Sequence, residues 1–228
     1  MAQARSRLNV PGYIALNFWY VIGHRLSKLV AKAYCSFRVQ NGEKLDDYEG
    51  GLIIASNHVS FLDPPFIGGA FRDPIFYFAR KTLFDHPMAN FILTRVNALP
   101  VNQEKPELSV LKKIISLLQE EEKVLIFPEG ERSFDGKMKS EGQPGIGMIV
   151  TKAGVPVLPV RLFGPEKALP RGGKKLKKHP VTLVVGEPVD LTDLIEDIAL
   201  TAKERYENIS IRIMEEITNL KLTDSRGE

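Results

Sequence analysis

An α/β domain is the fold class this sequence predicts: a single domain with a central, largely parallel or mixed sheet flanked by helices, preceded by an amphipathic helical segment. Three observations carry the expectation. From residue 37 onward, short apolar runs of strand length alternate with longer stretches of helical periodicity, the order that builds βαβ units. The chain has 228 residues and 43% hydrophobic content, enough for one full core and too little for two comfortable ones. No internal repeat or low-complexity tract breaks the pattern. The boundaries that follow are a helical segment over 1–36 and an α/β domain over 37–228.

The first segment holds the most apolar stretch of the chain. Residues 13–23 read Tyr-Ile-Ala-Leu-Asn-Phe-Trp-Tyr-Val-Ile-Gly, and Arg25 and Lys28 follow at once. A bilayer span needs about 20 apolar residues, so this stretch is too short, and no small-residue cleavage site follows it to mark a signal peptide. On a helix, Ile14, Phe18, Val21, Ile22, Leu26 and Leu29 form one stripe. Trp19 and Tyr20 are residue types that favour a lipid–water boundary, and Arg25, Lys28 and Lys32 are long enough to reach headgroups. Residues 1–42 carry six basic residues and no acid, so the rest of a chain of net charge +3 sums to −3. The segment therefore predicts a helix lying on an anionic membrane surface; the alternative is a helix packed on its own core with its basic residues solvated.

The remaining elements follow in order. Phe37–Gln40, Leu52–Ser56, Ile75–Ala79, Lys123–Phe127, Pro156–Phe163 and Val181–Gly186 read as strands. Asp63-Pro64-Pro65 reads as a helix start, with Asp63 as N-cap and Pro64 at the first helical position. Residues 106–119 form an amphipathic helix whose apolar face is Leu108, Leu111, Ile114, Ile115 and Leu118. A helix over Pro144–Lys152 contains Gly145 and Gly147, which suggests close packing. The last helical stretch, about 192–220, is acidic: from Glu187 onward there are eleven acids and five bases. Its stripe is Ile209, Ile213, Ile217 and Leu220.

Three blocks carry chemistry. The first runs from Asn57 to Asp63. Histidine is the usual general base near neutral pH, and a carboxylate on its second ring nitrogen fixes the tautomer and stabilises the imidazolium. A five-residue separation suits His58 and Asp63 if His58 ends a strand and a turn intervenes before a helix begins at Asp63. The alternative is a capping aspartate beside an ordinary loop histidine. The second block, Phe127-Pro128-Glu129-Gly130-Glu131-Arg132-Ser133, follows a strand, which places its polar groups at the carboxyl end of a sheet. There Arg132 offers a fork of donors suited to phosphate, and Glu129 either holds that arginine or accepts from a substrate hydroxyl. The alternative is a solvated turn. The third block, Val155-Pro156-Val157-Leu158-Pro159-Val160, reads as an edge or irregular strand, because proline cannot donate to a ladder. Arg161 after it serves either an anion or a surface salt bridge.

In this order, Asn-His-x4-Asp, Phe-Pro-Glu-Gly-x-Arg-Ser and Val-Pro-x-x-Pro-Val resemble the blocks of the glycerolipid acyltransferase family, specifically its bacterial 1-acyl-glycerol-3-phosphate acyltransferases, over roughly residues 50–165. The resemblance implies transfer of a fatty acyl group from an acyl-CoA or acyl-ACP thioester to the sn-2 hydroxyl of lysophosphatidate, making phosphatidic acid for phospholipid biosynthesis. It implies His58 as base and Asp63 as its partner. Asn57, Lys105, Glu129, Gly130, Arg132 and Ser133 are the expected substrate-binding residues. Neither a metal nor a cofactor beyond the acyl carrier is implied. Expected partners are a lipid surface, the lysophospholipid acceptor and the acyl carrier, at the cytoplasmic face of the inner membrane. One departure concerns the acceptor. Where the family has Pro-Val-Asp-Arg, this chain has Pro100-Val101-Asn102-Gln103, and an amide cannot give a charge-assisted bond to phosphate; Lys105 is the nearby candidate.

Other function classes fare less well. A single cysteine, Cys35, excludes an internal disulfide framework and any multi-cysteine metal site, and the four histidines lack zinc spacing. Basic residues without interleaved stacking aromatics argue against nucleic acid. Three competitors stay open. One is an acyltransferase for another lysolipid. A second is a hydrolase in which His58 activates water on a thioester. The third is an inactive peripheral membrane protein.

Overall fold

The computed structural model describes residues 18–45, 48–102, 108–133, 136, 138, 139, 141–173 and 175–223. Helix α1 (Phe18–Cys35) leads into strand β1 (Arg38–Gln40), then β2 (Leu52–Ser56), α2 (Asp63–Ala70), β3 (Ile75–Arg80), α3 (Pro87–Leu93), β4 (Ala98–Val101), α4 (Leu108–Gln119) and β5 (Lys123–Ile126). There follow α5 (Gly145–Ala153), β6 (Val157–Phe163), the short α6 (Pro165–Ala168), β7 (Thr182–Val185), the short α7 (Thr192–Glu196) and α8 (Ala202–Asn219). The seven strands form one sheet in the order β1-β7-β6-β2-β5-β3-β4. All neighbours are parallel except β6 and β7, which run antiparallel. The sheet is therefore mixed: five strands point one way, and β7 and β1 point the other.

Alternation along the strands divides the core in two. Successive side chains of a strand face opposite sides, so Leu52 and Ile54 pack on one face with Phe66, Ile67, Ala31 and Cys35. Ile53 and Ala55 pack on the other with α4, α5 and α8, through Leu118, Ile149, Ile209 and Ile213. Helix α1 is thus fixed to the domain through its Ala31 and Cys35. At the α5–α8 contact, a Cβ on Gly147 would lie 2.2 Å from the Tyr206 carbonyl oxygen, so the close approach expected from the glycine pair is required at Gly147. Gly145 has open space instead.

Several local expectations are corrected. The edge-like third block is an interior strand: β6 lies between β2 and β7. Pro159 is tolerated because the β6–β7 ladder begins beside it, with its carbonyl accepting from Gly186 N–H at 2.9 Å. The acidic C-terminal stretch is two helices, and α8 begins with a capping box between Thr201 and Glu204. Leu220 is its C-cap, one step past the helix. Arg161 makes no ion pair with a described residue; its guanidinium donates to the Thr218 and Leu220 carbonyls, tying down the orphan acceptors at the end of α8. Strand β4 had no forecast, because four residues containing Pro100 carry almost no periodic signal. Tyr20, expected at a lipid boundary, is 5% exposed. Its hydroxyl accepts from Ile75 N–H at 3.0 Å, and burial raises its pKa.

Candidate active site

Strands β2 and β5 are neighbours in register, so the segments that leave their carboxyl ends lie side by side. That adjacency joins the first and second blocks. Leaving β2, the chain turns through Asn57 and His58 and enters α2 at Asp63. The Asp63 side chain points back into this turn. One of its oxygens, Oδ2, accepts from the amides of Val59 at 2.7 Å and Ser60 at 2.8 Å, and lies 2.9 Å from His58 Nδ1. Asp63 is fully buried and is the first helical residue, with Leu62 at the N-cap, so its carboxylate organises the turn before the helix and does not cap it. A carboxylate can only accept, so Nδ1 carries the proton and Nε2 is left as the base. Phe127, the first residue after β5, stacks on the imidazole with ring centroids 3.9 Å apart and planes 13° from parallel.

The second block clamps the histidine's backbone. Glu129 is 1% exposed; its Oε1 accepts from His58 N–H at 2.7 Å and its Oε2 from Lys139 N–H at 3.0 Å. Burial pushes its carboxyl pKa up, and these amide donors oppose the rise. From the other side, Ser133 N–H donates to the His58 carbonyl at 2.9 Å. Gly130 takes φ = +76°, a conformation suited to glycine, and its amide donates to Phe127 O at 3.0 Å. Asn57, expected to touch substrate, is buried: its Nδ2 donates to Leu162 O at 3.0 Å and its Oδ1 accepts from Leu162 N–H at 2.8 Å. Its amide therefore continues the β2–β6 ladder where β2 stops. Ser60 is similarly engaged, donating to Leu169 O at 2.8 Å.

His58 faces a groove of about 710 Å³. Its long apolar section is formed by α1, α2, β3 and α3, including Leu26, Val30, Phe66, Phe78 and Leu93. A Cβ on Gly68 would fall 1.7 Å from Tyr77 Oη, so glycine there lets the tyrosine pack under α2 as one wall. Near His58 the lining becomes charged, with Arg80, Glu131, Arg132 and Arg171. The Arg132 guanidinium lies 3.4 Å from the Phe61 ring centre, a cation–π arrangement. Its Nη1 is buried without a partner among the described residues. Burial first, then the charge of Arg171, lowers the Arg132 pKa, while Asp63 raises it. Such a buried donor in a cluster of like charge calls for an anion. Glu131 pairs with Lys139 at 3.1 Å, and that ammonium holds its carboxyl below the usual range.

The chain and its fold have known counterparts. Residues 36–162 match the family model described as Acyltransferase. The chain belongs to the acyltransferase family. It is 30% identical over 196 residues to the 1-acyl-sn-glycerol-3-phosphate acyltransferase of Bacillus subtilis, a match covering 85% of this chain and 92% of that protein. The chloroplastic 1-acyl-sn-glycerol-3-phosphate acyltransferase LPAT1 of Arabidopsis thaliana is 29% identical over 176 residues, 73% of this chain and 48% of that protein, so the chain spans about half the length of that plant relative. Among solved structures, the 1-acyl-sn-glycerophosphate (LPA) acyltransferase PlsC of Thermotoga maritima superposes with a TM-score of 0.68 at 26% identity, covering 90% of this chain and 81% of that one.

The acyltransferase thus brings His58 and Arg132 to one groove, with Asp63 buried behind the His58 ring. It places Asn57, Glu129, Gly130 and Ser133 behind His58 as its scaffold, through the contacts described above. Lys105 and the departure at Gln103 lie outside the described residues. Sequence reasoning missed Arg80, although its place at the carboxyl end of β3 is a usable signal. Arg171 reaches the groove through a contact that joins residues 39 apart, which no local pattern records.

Proposed function

We propose that this acyltransferase moves a fatty acyl group from a thioester, on coenzyme A or acyl carrier protein, to the sn-2 hydroxyl of 1-acyl-glycerol-3-phosphate. The product is phosphatidic acid, for phospholipid biosynthesis. The observation that carries the reading is the buried Nη1 of Arg132, without a partner among the described residues, in the same groove as His58. His58 Nε2 takes the proton of the acceptor hydroxyl as its oxygen attacks the thioester carbonyl. The tetrahedral intermediate collapses with cleavage of the C–S bond, and the leaving sulfur takes the proton back from the imidazolium. Asp63 holds the ring and stabilises its cation. Arg132, with Arg80 and Arg171, binds the acceptor phosphate and supplies the charge that Gln103 lacks. The apolar section of the groove holds an acyl chain.

The acceptor is a bilayer lipid, and the outer face of the protein suits that. Phe18, Trp19, Ile22, Leu26 and Leu29 of α1 are exposed, as are Met88, Phe91 and Ile92 of α3. Trp19 meets Phe91 edge to face at 5.4 Å, which joins the two faces into one patch. No helix among the described residues is long and apolar enough to cross a membrane. The exposed apolar patch of α1 and α3 rests on the surface of one leaflet, at the cytoplasmic face of the inner membrane.

Purified protein assayed with lysophosphatidate and a palmitoyl thioester tests the reading. His58→Ala should lower kcat by about 10²–10⁴-fold, the usual worth of a general base. Equal turnover of monoacylglycerol, which has no phosphate, would overturn the acceptor assignment, and release of free fatty acid without acceptor would indicate a hydrolase.

A further inference from the structure

We propose that the basic surface formed by Lys167, Lys175, Lys177 and Lys178 is the docking face for an acidic acyl carrier protein that delivers the thioester to His58. The inference rests on the acyl-transfer reading above and names the donor's carrier.

Charge is concentrated here beyond what composition requires. Residues 167–178 hold six basic residues, and no acid occurs before Glu187. This stretch and residues 1–42, at +6 each, leave the rest of a +3 chain at −9. Lys167, Lys175, Lys177 and Lys178 are exposed and make no ion pair with any described residue. Holding unneutralised like charges together is unfavourable, and an acidic partner relieves the repulsion.

The lysines stand on a fixed frame whose other side is the active site. Leu169 O accepts from Ser60 Oγ, two residues from His58. The Arg171 guanidinium donates to the Arg132 carbonyl and lines the groove. Lys177 N–H closes the loop on Ala168 O at 2.8 Å, and Leu176 packs on the core. A carrier seated on this surface is therefore beside the mouth through which its thioester must enter.

The surface suits a protein better than a nucleotide or a bilayer. None of the four lysines lines either main cavity, and residues 167–178 include no aromatic on which a base would stack. No large apolar side chain among the described residues of the stretch is exposed, since Leu176 is turned inward; the α1 surface differs in interleaving its bases with apolar groups. Spread ammonium groups on flexible stems fit carboxylates distributed over a protein face.

The test compares palmitoyl-acyl carrier protein with palmitoyl-CoA, using the full chain and the K175E/K177E/K178E variant. The expected result is a fall in kcat/KM of about tenfold or more with the carrier protein, carried by KM and steepening at low salt. With palmitoyl-CoA the change should stay within about threefold, which also shows that the variant is folded. Equal losses with both donors, no loss with either, or a parallel loss of binding to anionic vesicles would each overturn the proposal. So would a wild-type protein that uses palmitoyl-CoA but not the carrier thioester. Failure of the wild type with both donors would overturn the acyl-transfer reading itself.

Discussion

Helices α1 and α8 have the same length, 18 residues each, and turn their apolar stripes in opposite directions. In α8, Ile209, Ile213 and Ile217 are fully buried against the sheet and α5. In α1, Phe18, Leu26 and Leu29 are 72%, 57% and 64% exposed. The difference lies in which face makes the close contact. Helix α1 meets α2 through small residues: a Cβ on Gly69 would sit 3.0 Å from Ser27 Oγ, and Ala31 and Cys35 are buried. Phe18, Trp19, Ile22, Leu26 and Leu29 are left outside, while Tyr20 is buried. An amphipathic pattern therefore fixes that a helix has an apolar side, while the packing of its other side decides whether that side meets protein or another apolar medium.

The contrast is open to measurement. The largest expected effect is Ile213→Ala in α8, which should destabilise the fold by about 2–5 kcal/mol, as for other buried aliphatic truncations, read as a shift in the denaturant midpoint. Next comes the double variant Phe18→Ser/Leu29→Ser in α1. Exposed positions contribute little to folding, so its stability should stay within about 0.5 kcal/mol of wild type. Its partition onto anionic vesicles should fall by about tenfold or more, because inserting each large apolar side chain is worth about 1.5–3 kcal/mol. A stability loss in α1 equal to that in α8, with vesicle binding intact, would erase the distinction between the two helices. The smallest effect is Thr201→Ala, which removes half of the α8 capping box and should cost about 1 kcal/mol in thermal or chemical unfolding.

The site was legible to a similarly uneven degree. His58, Asp63 and Arg132 could be read because each is the residue type its chemistry requires, at a strand end or helix start that local patterning marks. The tasks of Asn57 and Glu129 could not. Each depends on a backbone group far away in sequence, Leu162 in one case and His58 in the other, 105 and 71 residues distant. Arg161 misled for the same reason, since its acceptors lie at the end of α8, 57 and 59 residues on.

By itself, the sequence determined the alternation of strands and helices, the bounds of β2, the apolar stripe of α8, the concentration of charge at 1–42 and 167–178, and the blocks that mark the family. These are properties of neighbouring residues, and periodicity or residue type records them directly. Tertiary structure decided the sheet order, which placed β2 beside β5 and so brought the two site blocks together. It also buried the Glu129 carboxylate beneath His58, and it turned the apolar side of α1 away from the core. Each of those outcomes rests on pairing and packing between segments distant along the chain, where the free energy belongs to the contact and neither segment alone encodes it.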